Sequence, residues 1–167
     1  VSQDVPHFHS WGSLRSRGSD QLRYKPVVGL TALKLVGYFL GDNNLSETNV
    51  GLKELADVFH AVKIDPEHSF SSLFFSNDFN TLASDLKNFK NKVPQGFFNQ
   101  HEFFETLLKI INTPLESYFE IINTTFSDCF EGEKMSYRSM IAYRRNLIIM
   151  TAVSVDGFSE YIDEKRR

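Results

Sequence analysis

The chain has 167 residues, a formal net charge of −3, one cysteine and 41% hydrophobic residues. That length supports one domain, or one domain with an arm, around a core that needs no covalent staples. The charge argues against the broad positive field of a nucleic-acid binder, and a single cysteine excludes an intrachain disulfide.

Sixteen phenylalanines point to a thick aromatic core with some rings left over for a groove. The lone Cys129 suits a reducing compartment, so a cytoplasmic location is expected. No apolar run approaches the roughly 18 residues of a membrane span.

In chain order, residues 1–26 lack periodicity and are rich in serine, glycine and basic residues, with four cations against two acids. They read as an irregular N-terminal arm. Within it, the stretch HFHSWGS holds His7 and His9, which without a cysteine or third ligand are half a metal site at most. Phe8, Trp11 and Leu14 give this polar arm apolar anchors, so it is expected to pack across the body or to dock on a partner.

Residues 27–41, VVGLTALKLVGYFLG, read as a buried helix closed by Gly41, with a strand as the rival. A second helix is predicted from Ser46, with an apolar face of Leu52, Leu55, Ala56, Val58, Phe59 and Val62. Asp65-Pro66-Glu67 has the cap, first-position proline and first-turn acid of another helix start, leading into a phenylalanine-rich segment through Phe75. Residues 78–92 carry Phe79, Leu82, Leu86 and Phe89 at helical spacing, and Pro94-Gln95-Gly96 breaks the pattern.

From Phe97 to Ile111, Phe97, Phe104, Leu107, Leu108 and Ile111 share one helix face. Thr113-Pro114-Leu115-Glu116 combines cap, proline and glutamate, predicting a helix through Phe126 and Phe130 to Gly132. The last long helix is expected from Ser136 to about Val155, before Asp156-Gly157 and a charged helical tail. The sum is an all-α fold: a compact bundle of six or seven helices over residues 27–167, with no β-hairpin.

Chemistry-bearing patterns are sparse. Asp57 and His60, and likewise Asp65 and His68, have the three-residue spacing of helical di-metal sites, but the further acids such a site needs are missing. His101-Glu102-Phe103-Phe104-Glu105 is not a metalloprotease helix, because Glu105 stands where the second histidine belongs. Cys129 lies between Asp128 and Glu131 beside Phe130, an environment that disfavours a thiolate. No nucleophile elbow or phosphate-cradling glycine loop occurs, so no catalytic residue, metal or cofactor is assigned.

The adjacent pairs Phe74-Phe75, Phe97-Phe98 and Phe103-Phe104 matter more. Neighbours on a helix point about 100° apart, so either the helix is buried on two sides or one ring of each pair lines a groove. Arg144-Arg145, with Arg138 upstream, make a weak phosphate footprint, and ordinary helix-surface charge is the plainer meaning. The expected function is a non-catalytic protein-interaction, adaptor or regulatory domain that binds a partner peptide or helix through an aromatic-lined groove. Its candidate contacts are Phe8, Trp11, Phe98, Phe103, Arg144 and Arg145. The alternatives are a helical-bundle enzyme or holder of a lipid-like ligand, and a self-associating scaffold.

Overall fold

The computed structural model describes residues 7–16, 25–42, 45, 49–63, 70 and 78–167. It corrects the all-α expectation: the fold is mixed α/β, a four-stranded sheet packed against helices. The strands are β1 (Phe8–Ser10), β2 (Val27–Val28), β3 (Val50–Glu54) and β4 (Phe59–Lys63), in the order β1-β3-β4-β2. Neighbours β1–β3 and β3–β4 are antiparallel, whereas β2 runs parallel to β4.

The decisive change is at residues 50–63, where the helix predicted from Ser46 is a hairpin. Val50 and Leu52 turn to the core on one face of β3, the period-two arrangement of a strand. Leu55, Ala56 and Asp57, which the helix reading would partly bury, sit exposed in the turn, with Leu55 N–H donating to Val58 O at 3.0 Å. Register runs from Val50 opposite Lys63 to Glu54 opposite Phe59.

Gly51 is the reason β1 can join. A Cβ there would lie 2.4 Å from both His9 O and the Phe8 ring, so only glycine admits the strand and its aromatic cover. The segment expected as an irregular arm therefore carries regular structure in its described part: β1, followed by α1 (Trp11–Ser16). The Ser46 cap, the Asp65-Pro66-Glu67 start, His68, Phe74-Phe75 and the Leu14 side chain lie outside what is described.

The helix predicted from Val27 begins later. Val27 and Val28 pair with Phe59 and His60, and α2 spans Leu30–Leu40. It ends on Gly41 at φ 66°, with Gly41 N–H on Tyr38 O and Asp42 N–H on Gly37 O, the paired closure that a left-handed glycine permits. Next come α3 (Phe79–Lys87), a 3-10 turn at Phe89–Lys92, α4 (Gln100–Asn112), α5 (Leu115–Thr125), α6 (Glu131–Ala152) and α7 (Phe158–Lys165).

Asp78 caps α3 through Thr81 N–H, and Asn99 caps α4 through Glu102 N–H. The capping box expected at Thr113 does not form. Thr113 instead donates its hydroxyl to Lys109 O at the end of α4, and α5 follows Pro114 without a side-chain cap.

One side of α2 packs on β4, and α4 and α6 also contact it. Leu35, Phe39, Leu52, Phe59, Phe89, Leu107 and Ile148 belong to one continuous core. Among the described residues, no helix is long and apolar enough to cross a membrane.

Candidate interaction surfaces

The six candidate residues do not form one patch. Phe8 lies half-buried on β1 over Gly51. Trp11 is buried, edge-on to Phe97 with ring centres 4.9 Å apart, which ties the N-terminal segment to the loop before α4.

Phe103 is only 2% exposed and stacks on Phe89 at 5.2 Å; its neighbour Phe104 is also buried. This pair is buried on both sides. Phe98 is half-buried, 5.7 Å from Phe103, and lines an open cleft of about 620 Å³ with His101, Phe104, Glu160, Tyr161 and Glu164. Beside that cleft, Glu105 accepts a hydrogen bond from Tyr161 and pairs with Lys165 at 2.6 Å. Those donors, Lys165 foremost, hold the Glu105 carboxyl down at about 2.

Arg144 and Arg145 have a job within the fold. Arg144 is 3% exposed; its Nε donates to Phe39 O at 2.9 Å and its Nη2 to Tyr38 O at 2.6 Å. Arg145 donates to Ile110 O and Ile111 O. Because adjacent residues on α6 diverge, one guanidinium reaches the C-terminal end of α2 and the other that of α4, where carbonyls lack helical partners and the helix dipole is negative.

Arg144 also lies over the Tyr38 ring, whose hydroxyl donates to Asp85 at 2.9 Å; Asp85 in turn pairs with Lys92. Burial, followed by the Asp85 carboxylate, pushes the Tyr38 hydroxyl well above the ordinary tyrosine value. Sequence reading missed these caps because the carbonyls they serve are over a hundred positions away for Arg144.

A groove absent from the sequence-derived candidates opens between α2, α4 and α5. Its volume is about 260 Å³, and Phe39, Leu40, Ile110, Tyr118 and Ile122 line it. Val36 and Ile121, 39% and 56% exposed, also line the groove, together with Lys109 and Thr113. The signal was present in the sequence: Val36 and Ile121 are large apolar residues one helical position off the core stripes of their own helices. It could not say that the two meet.

The Asp57–His60 spacing dissolves in the fold, and Asp65 and His68 lie outside the described residues. Asp57 is in the hairpin turn and His60 on β4, so they do not share a helix face. Among the described residues, no group of three histidine, cysteine, aspartate or glutamate side chains is placed to hold a metal ion. Cys129 is half-buried after α5. No known protein family, curated protein or solved structure matches the chain.

Proposed function

We propose that this chain is a non-catalytic protein-interaction domain that seats an apolar anchor side chain of a partner peptide or helix in the α2–α4–α5 groove. The observation that carries the reading is a concave apolar surface with two large exposed aliphatic side chains, Val36 and Ile121, among its lining residues. Stable folding gains nothing from leaving such residues in water, whereas a docked apolar side chain would cover both.

The volume favours an anchor over a whole ligand. About 260 Å³ is at the small end of ligand pockets and is a good match for a single docked side chain. Lys109 and Thr113 supply polar contacts beside the groove, so an acidic residue next to the partner's anchor would add affinity. The lone Cys129 fits a cytoplasmic setting for this interaction.

The test is site-specific photocrosslinking. A benzophenone side chain at position 36 or 121 should capture a protein partner in the native host, and one at the exposed Lys90 should not. Adducts to lipid, equal capture from all three positions, or no protein adduct from 36 and 121 would overturn the reading.

A further inference from the structure

The outward face of α6 is a second exposed surface, uncharged and apolar at Met135, Ile149 and Val153, opposite the buried Ile141, Arg144 and Ile148. Met135, Ser139, Ala142, Asn146, Ile149 and Val153 follow one another at spacings of four, three, four, three and four residues. That alternation is the seam of a helix that packs along another helix. Val153 is 73% exposed, Met135 59% and Ile149 36%; Ser139 and Asn146 are exposed and Ala142 half-buried. None of the six is charged.

We propose that this seam pairs with the same seam of a second copy, with the two α6 helices antiparallel about a two-fold axis level with residue 144. In that register Met135 faces Val153 of the second copy, Ser139 faces Ile149 and Ala142 faces Asn146. Each small side chain meets a larger one, and one patch serves both subunits, as a two-fold interface requires. Antiparallel packing also sets opposite helix-dipole ends side by side.

The area reaches the lower limit only when the seam is fully covered. At the exposures above, the seam and the flanking Met150 (61% exposed) and Tyr143 (46%) offer at most roughly 600 Å² per copy, so a pair that covered them fully would bury about 1,200 Å², the lower end for specific stable interfaces. A helix of this length runs about 33 Å, long enough for all six seam positions to engage.

Charge speaks for a second copy over other occupants. An acidic or basic partner finds no opposite charge on the seam. A helix lying on a membrane surface would border its apolar face with free lysine and arginine. Here Arg145 is turned inward to α4, and Arg138 is held by Glu131 and Asn123.

Sedimentation equilibrium on the full chain and two double variants tests the pairing. The wild type should dimerise at about 100 µM, and M135K/V153K, with lysines opposed in both end layers, should associate at least about tenfold more weakly. M135K/V153E should recover dimerisation, because only the antiparallel register sets the introduced lysine against the introduced glutamate. Thermal melts of dilute protein should be alike for all three, since both positions are exposed.

A wild type that stays monomeric would overturn the proposal, as would M135K/V153K associating like wild type or M135K/V153E as weak as M135K/V153K. The seam shares no residue with the lining of the α2–α4–α5 groove. A monomeric result therefore leaves the groove reading standing, and failed crosslinking at positions 36 and 121 leaves the seam.

Discussion

The α2–α4–α5 groove and the outer seam of α6 both expose large apolar side chains, but they relate to the fold in opposite ways. The groove lining includes Phe39, Ile110 and Ile122, which the core already needs; exposure is concentrated on Val36 and Ile121. The seam spreads its exposure along a 22-residue helix whose other face does the packing. A concave site shares its walls with the core, so binding and stability change together there. A convex helix face can be rewritten with little cost to the fold.

The sharpest way to break this contrast is on the inner side of α6, about one helical turn from the groove-lining Ile141 and opposite the seam. Arg144→Ala should destabilise by about 4 kcal/mol, because it removes two charge-assisted bonds and leaves the buried Phe39 carbonyl without the guanidinium, while Tyr38 O keeps Gly41 N–H. Chemical denaturation measures it; a loss under about 1 kcal/mol would mean that the α2 terminus is held by something else.

Within the groove, Ile122→Ala should cost about 3 kcal/mol as a cavity in a fully packed wall. Ile121→Ala should cost under about 0.5 kcal/mol while weakening crosslinking at position 36. Equal destabilisation by the two variants would erase the distinction between wall and exposed residue.

The smallest effect concerns the open cleft beside Phe98. Hydrogen bonds from Lys165 and then Tyr161 depress the Glu105 carboxyl to about 2. A carboxyl depressed in the folded state contributes stability that is present above its ordinary value near 4.5 and lost as pH falls from there toward about 2. Melting temperature followed across that window should fall less steeply in Glu105→Gln than in the wild type. Parallel curves would show that the exposed network is too well screened to matter.

Helices α3, α4 and α7 were legible because their signals are local. Asp78, the break at Pro94-Gln95-Gly96 and the interruption at Asp156-Gly157 act within a few residues of the termini they set. The hairpin was not. Leu52, Leu55, Phe59 and Val62 also satisfy a helical stripe, and the strand reading wins only once β1 and β2 supply partners for β3 and β4. Gly51 was the one local hint, because a glycine that weakens a helix interior is what a crowded strand crossing requires.

The candidate surfaces divide in the same way. The spacing of the α6 seam stands in the sequence, but its meaning depends on the opposite face being the buried one. Sequence alone determined a phenylalanine-rich core, the rough positions of most C-terminal helices, and the absence of a familiar catalytic motif. Tertiary structure decided that residues 50–63 pair as strands, that Arg144 and Arg145 close two helices, and that Val36 and Ile121 share one groove. The reason is physical: capping and periodicity act over one or two turns of chain, whereas strand pairing, carbonyl capping across helices and concavity depend on residues far apart in sequence.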